Sequence, residues 1–298
     1  MRVRVPPGLP FMRSILTYAG SNPAGWTMKT LLLSLLLSIF PVSALALDVQ
    51  PGVLPNTVNE VRQAEKRFNL PVKTWLGFLA GNDGHDPLHK SHKRSTLIFH
   101  HEEPKAQKHY VIYWFHGMGG YHKFADNMYP QMKELIRRGK SFTIVEPEMP
   151  WSCNVSHIDG RQSWSKPGSF KVFSEAALRQ VPPPPGKEII TVVGGHSRGG
   201  KGIRDASVTG GLCDMKVDWV LWSDATYSAW FDKAWNACLK TIPSQVEVFY
   251  IRGTSTGAFV RRFSQNQHFP FVHLNPLGLP WYHGKVGNNV LLISEILK

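Results

Sequence analysis

The sequence predicts an α/β fold: a mainly parallel central sheet with helices on both faces. Two observations carry this. After Tyr110, apolar runs of strand length alternate with amphipathic, helix-length stretches. The runs are continuously apolar, as strands covered on both faces are. In chain order, "KTWLGFLA" (73–80), "STLIFHH" (95–101) and "YVIYWF" (110–115) read as three early strands. "ADNMYPQMKELIRRG" (125–139) reads as a helix stopped by Gly139, and "SFTIVEPEM" (141–149) as a strand. "SFKVFSEAALRQV" (169–181) is helical up to the Pro182–Pro185 run, and "EIITVVGG" (188–195) is a strand. "RGGKGIRDASVTGG" (198–211) is a helix, "VDWVLWSDA" (217–225) a strand and "SAWFDKAWNACLKT" (228–241) a helix. "VEVFYIRG" (246–253) is another strand, and "NNVLLISEILK" (288–298) reads as a closing amphipathic helix.

A chain of 298 residues, 42% of them hydrophobic, holds one large domain or two small ones. One domain over 47–298 is the simpler reading, because the N-terminus has another character. From Met28, "MKTLLLSLLLSIFPVSALALD" joins a basic flank (Lys29), an apolar core (Leu31 to Phe40) and a small-x-small site at Ala44-Leu45-Ala46. That is the three-part pattern of a secretory signal peptide over 28–46. The apolar run is shorter than the roughly 20 residues a membrane span needs, so no stable membrane anchor is expected. Residues 1–27 then read as an upstream extension. N-terminal sequencing of the exported protein is expected to begin at Leu47; a mature chain that retains Met28 overturns this reading.

The formal charge is +13. Residues 1–46 carry Arg2, Arg4, Arg13 and Lys29 and no acid, which leaves 30 basic and 21 acidic residues, a net +9, on 47–298. A basic exported protein is drawn to anionic surfaces such as cell-wall polymers or lipid headgroups. Nucleic acid is disfavoured as a partner by export and by the lack of zinc-finger, RRM or helix-turn-helix signatures. Three cysteines, Cys153, Cys213 and Cys238, suit an oxidising compartment. Spacing alone does not fix their pairing; Cys213 and Cys238 flank one strand–helix unit and are the favoured pair. No Cys-x-x-Cys spacing suggests zinc.

Two motifs carry chemistry. Gly195-His196-Ser197-Arg198-Gly199 fits G-x-S-x-G between a strand and a helix, the context that motif requires. The turn there is so sharp that side chains two before and two after the serine would collide, so glycine fits both places. Ser197 is left exposed at the tip as a nucleophile. Upstream, "YWFHGMGGYH" (113–122) places a Gly-rich loop directly after a strand. The amides of Gly117 or Met118, with that of Arg198, are candidates for an oxyanion hole. A phosphate-cradling loop is the competing reading, but no Walker lysine with an adjacent Ser or Thr is present.

With these motifs the chain resembles the α/β-hydrolase superfamily over roughly residues 95–298: the "HGMGG" loop, the "GHSRGG" elbow and a late histidine before the last helix. The resemblance implies a serine nucleophile, an acid and a histidine base, in that chain order. His268, His273 and His283 follow the elbow; His283, in "WYHGKVG", stands where the family keeps its base, and His268 and His273 read as loop or rim. The strand that most relatives use for the acid ends here in "RGTSTG", without a carboxylate. The preceding strand ends "LWSDATY", which makes Asp224 the candidate, with a helix cap as its bland alternative. Asp218 starts that strand and lies on the wrong edge.

Lower in rank, "GNDGHDPLHKSH" (81–92) reads as a solvated loop rather than a metal site, and Trp151 and Trp164 as pocket walls or simple packing. The expected activity is an exported serine hydrolase cleaving a carboxylic ester, or an amide, of a small molecule or a cell-envelope component. No cofactor or metal is implied. Two rival readings stand beside it: an acyltransferase using the same triad, and a non-catalytic envelope-binding protein on a hydrolase scaffold.

Overall fold

The computed structural model describes residues 47–82, 93–118, 121–151, 163–242, 244–258, 260 and 272–297. The signal-like segment, Cys153 and most of the loop at 81–92 lie outside them. Among these residues nine strands form one sheet: β1 (Asp48–Val49), β2 (Lys73–Gly77), β3 (Thr96–His101), β4 (Lys108–Phe115), β5 (Ser141–Pro147), β6 (Glu188–His196), β7 (Trp219–Ser223), β8 (Gln245–Ile251) and β9 (Val272–Leu277). Their spatial order is β1-β2-β3-β5-β4-β6-β7-β8-β9. β4 to β9 run parallel, whereas β3 is antiparallel to both of its neighbours, β2 and β5. The mainly parallel sheet is as the apolar runs require.

Helices with described bounds are α1 (Pro55–Phe68), α2 (Tyr121–Arg137), α3 (Ser169–Gln180), α4 (Gly199–Val208), α5 (Trp230–Ala234), α6 (His283–Gly287) and α7 (Val290–Ile293). They cover both faces. On one face, Phe170 and Phe173 of α3, Ile203 and Ala206 of α4, and Phe231 of α5 pack on Val111, Tyr113 and Val193. On the other, Val61 of α1, Met132 of α2 and Val290 of α7 pack on Ile112, Trp114 and Val192. Each inner strand supplies alternate residues to the two cores, which is why these runs are mainly apolar. Cys213 and Cys238 form a disulfide that ties the turn after α4 to the π turn continuing α5.

Three sequence expectations need correction. α1 was not anticipated: its segment "PNTVNEVRQAEKRF" is polar overall, and Val61 and Ala64 are its buried contacts. His273 is part of edge strand β9 rather than a loop; "VHLNPL" has no continuous apolar run, and an edge strand tolerates Pro276. The closing segment is not one helix. It breaks into α6, α7 and a 3-10 turn, Glu295–Leu297. Glu247, buried on β8, accepts hydrogen bonds from the Ser294 hydroxyl and, at 3.1 Å, from the Glu295 N–H. Ser294 turns extended there to serve that carboxylate, and the helix cannot continue through it.

A second buried acid has no such partner. Glu146 of β5 is fully buried opposite Leu97, and among the described residues nothing hydrogen-bonds its carboxyl. Burial raises its pKa well above the ordinary carboxylate range. The unfolded chain releases this proton near its ordinary pKa while the folded chain retains it. The stability Glu146 permits is therefore complete below about pH 4.5 and is lost as pH rises toward the folded pKa. Glu146→Gln is expected to melt above the wild type at pH 8, with the gap closing at pH 5. While the proton is held, each pH unit costs about 1.4 kcal/mol, or roughly 3–6 °C for a domain of this size. A gap that does not change with pH defeats this account.

Candidate active site

The chain reverses its winding at β4: β5 lies on one side of it and β6 on the other. Ligand sites in such sheets lie outside the carboxyl ends of the strands at this switch point. The register brings the candidate residues there. Phe115 of β4 pairs with Gly195 of β6, and His196 of β6 pairs with Ser223 of β7. Ser197 and Asp224 directly follow β6 and β7, so they leave adjacent strands side by side. Both adopt left-handed backbone, Ser197 at φ 55° and Asp224 at φ 45°. For a residue with a Cβ this costs on the order of 1–2 kcal/mol.

The elbow is steric in origin. A Cβ on Gly195 would sit 2.7 Å from the Gly199 carbonyl, and one on Gly199 only 2.0 Å from the Phe115 oxygen. The same closeness seats the upstream loop on the elbow: a Cβ on Gly117 would lie 3.1 Å from the Ser197 Cβ. His116 braces this loop. Its Nδ1 meets the Gly117 carbonyl at 2.6 Å, its Nε2 accepts the Met149 N–H at 3.1 Å, and the Trp151 indole donates to its carbonyl at 2.9 Å. Trp151 and Trp164 are buried within the core, so both pack rather than line a wall. Trp151 still bears on the site through His116.

Asp224 and His283 are joined: the imidazole Nδ1 lies 2.6 Å from the Asp224 Oδ2. The other carboxylate oxygen, Oδ1, accepts the Thr256 hydroxyl and the Ile251 N–H, the latter at 3.4 Å. Burial would raise the Asp224 pKa, but the hydrogen bonds from His283 and Thr256 outweigh it and hold the carboxyl below its ordinary value. The "RGTSTG" segment thus contributes no acid but supplies Thr256, which orients the acid from β7. His283 is the first residue of α6 rather than part of a loop before a long helix. The carboxamide of Gln131, buried on α2, anchors that helix: it donates to the Gly287 carbonyl at 3.3 Å and accepts the Leu291 N–H at 3.1 Å.

Two further side chains complete the group, and the sequence reading named neither as a site residue. His196 lies against His283, with ring centroids 4.4 Å apart, and its Nε2 donates to the His283 carbonyl at 2.9 Å. Burial, then the adjacent His283, lowers the His196 pKa to about 4, so it stays a neutral prop at physiological pH. Tyr227 presents its hydroxyl 3.4 Å from the His283 Nδ1. Among the described residues no hydrogen bond joins Ser197 to His283 directly. In the positions of "GHS" and "DATY", these residues are visible in the sequence, but their partners are not.

The other candidates fall elsewhere. His273 bonds Gln245 at the start of β8, on the edge away from Ser197, and His268 lies outside the described residues. Asp218 accepts the Thr191 N–H at 2.7 Å on that same far edge. A cavity of about 660 Å³ lined by Trp75, His100 and Pro182–Pro185 also opens there, away from the chemistry. Met118 is exposed at the mouth of the site. Among the described residues no cluster of His, Cys, Asp and Glu could hold a metal ion, and no helix is long and apolar enough to cross a membrane.

No family model matches the sequence, and no curated protein matches it in sequence. Solved structures do match. A ferulic acid esterase is 15% identical, with a TM-score of 0.50 over 76% of this chain and 98% of its own. The chain has the α/β-hydrolase fold. Its order around β4, its single reversed strand β3 and the serine elbow after β6 belong to that architecture. Two more solved neighbours are the carboxylesterase CesB (YbfK) from Bacillus subtilis and FphF, a fluorophosphonate-binding serine hydrolase of Staphylococcus aureus. CesB is 8% identical at a TM-score of 0.48, over 81% of this chain and 96% of its own. FphF is 11% identical at 0.46, over 75% and 98%. At these identities the likeness concerns the fold, and activity must be argued from the site.

Proposed function

We propose that this α/β-hydrolase is an exported serine hydrolase that cleaves a carboxylic ester through an acyl-enzyme on Ser197. One observation carries the reading most strongly: a serine strained at the tip of a strand–helix elbow, on the strand next to the one that ends in a buried carboxylate bound, at 2.6 Å, to a histidine. Such strain at a partly exposed residue is hard to account for by packing alone and is common where a nucleophile must be presented.

The Nδ1–H of His283 donates to Asp224, which leaves Nε2 with the lone pair a base needs. Ser197 Oγ attacks the ester carbonyl carbon as its proton passes to Nε2. The carbonyl oxygen takes up negative charge, and the amides of Arg198 and of Gly117 or Met118 stabilise it. As the tetrahedral intermediate collapses, the C–O bond to the alcohol breaks, and imidazolium returns the proton to that alcohol. Water then attacks the acyl-enzyme with His283 again as base, releasing the acid and restoring Ser197. Asp224, held anionic, stabilises the imidazolium in both halves. Export rests on the signal-like segment at 28–46 and is consistent with the Cys213–Cys238 disulfide.

The test is covalent labelling by a fluorophosphonate, with the adduct mapped by mass spectrometry, beside turnover of p-nitrophenyl esters of graded acyl length. Labelling at Ser197 and ester turnover are the expected results. A protein that takes no label and turns over no ester is a binding scaffold instead.

A further inference from the structure

We propose that His196, the residue before the nucleophile, is a positioning residue that locks the base to the elbow: its Nε2–H holds the main chain of His283 and its ring supports the His283 imidazole, so that base and nucleophile are kept in reach of each other. The inference rests on the serine-hydrolase reading above and deepens it.

One side of this lock is rigid. His196 is the last residue of β6, paired in register with Ser223 at the end of β7, and its side chain is buried. A single planar peptide bond joins it to Ser197, so what His196 fixes is fixed relative to the nucleophile. The other side, α6, cannot place itself. It is five residues long, and no side chain caps its N-terminus. So short a helix takes its position from tertiary contacts rather than from its own stability. Gln131 holds its far end, through the Gly287 carbonyl and the Leu291 N–H. His196 holds its start.

Three contacts do this. His196 Nε2 donates to the His283 carbonyl at 2.9 Å. A carbonyl oxygen only accepts, so Nε2 carries the hydrogen. Burial and the adjacent His283 keep the ring neutral. The two imidazoles lie 4.4 Å apart between centroids, with their planes 34° apart. Gly287 stands four residues after His283, on the same helix face, and leaves room for the His196 ring: a Cβ there would lie 2.7 Å from its Nδ1. The ring thus fills the face of α6 that His283 and Gly287 share.

Asp224 fixes one atom of the base, Nδ1, at 2.6 Å. One hydrogen bond leaves the imidazole free to pivot about that atom, and Nε2 swings with the pivot. Holding the main chain from which the side chain grows, and one face of its ring, removes that freedom. A misplacement of about 1 Å can cost about 10²-fold in rate. No proton is transferred to or from His196. Its effect therefore falls on the approach of Nε2 to Oγ, and so on kcat, rather than on substrate binding.

His196→Leu removes the donor and the ring; His196→Gln returns an amide N–H to about the position of Nε2. For His196→Leu, kcat and the rate of fluorophosphonate labelling are expected to fall together, by roughly 10- to 100-fold, with KM close to wild type. His196→Gln is expected to recover most of that loss. Each variant is assayed well below its own Tm. A wild-type kcat in His196→Leu, or a loss confined to KM or Tm, overturns the inference. So does a His196→Gln variant as slow as His196→Leu, because the donor would then not be what holds the base. If His196→Leu folds poorly, site-specific His196→β-(2-thienyl)alanine keeps a five-membered aromatic ring without an N–H. Its kcat should fall at unchanged KM, and a wild-type kcat there defeats the proposal. Ser197→Ala runs alongside: turnover surviving in that variant defeats the serine-hydrolase reading itself, whatever the His196 variants show.

Discussion

Ser197→Ala is expected to abolish fluorophosphonate labelling and to reduce ester turnover by about 10⁴- to 10⁶-fold. The covalent route disappears, and what remains over water comes from the oxyanion amides and substrate binding. The fold should survive, because the elbow is set by Gly195 and Gly199 rather than by the hydroxyl. Ser197→Gly extends the test. Glycine tolerates φ 55° without the strain a Cβ brings. The Gly variant should be as inactive as the Ala variant and melt above it. The strain relieved is on the order of 1–2 kcal/mol, partly offset by the extra freedom glycine gains in the unfolded chain. Such opposed changes in stability and activity mark a position held for chemistry. Wild-type esterase activity in Ser197→Ala sinks the mechanism.

Most of the parallel sheet was legible in the sequence because each inner strand feeds two cores and so is mainly apolar on both faces. The elbow was legible because its steric demand falls on glycines at fixed offsets from Ser197. What escaped is what depends on partners distant in the chain. α1 is too polar to announce itself; β9 is defined by its pairing with β8 rather than by its own composition. The single helix expected at the C-terminus is broken by Glu247, 47 residues upstream of Ser294. The same holds at the site. Asp224 and His283 could be nominated from strand ends and chain order, but their contact spans 59 residues and is fixed by Thr256 and Gln131, which carry no motif. His196 and Tyr227 sit inside motifs already singled out, yet their contacts with His283 cross 87 and 56 residues.

Asp224→Asn is expected to lower kcat by roughly 10²- to 10⁴-fold, with less change in KM. The geometry makes this exchange unusually clean. Asparagine tolerates left-handed backbone nearly as well as aspartate, so φ 45° is no obstacle. The amide can satisfy two donors with its one oxygen: placed where Oδ1 is now, that oxygen accepts the Thr256 hydroxyl and the Ile251 N–H. The amide NH₂ then faces His283 Nδ1, where Oδ2 now lies at 2.6 Å. A donor there requires Nδ1 to accept, which moves the imidazole proton to Nε2. The base then has no lone pair toward Ser197, and imidazolium loses its counter-charge as well. Stability should hardly suffer, since asparagine fills the same space and caps a following turn about as well as aspartate. Asp218→Asn is the control. Its carboxylate accepts the Thr191 N–H on the far edge of the sheet, so its kcat should stay near wild type even if Tm shifts. Measured side by side, a collapse of kcat in Asp224→Asn alone assigns the acid. A near-wild-type kcat in that variant would reduce Asp224 to a structural turn residue and leave His283 to find its carboxylate elsewhere, with Asp232 of α5 the next to test.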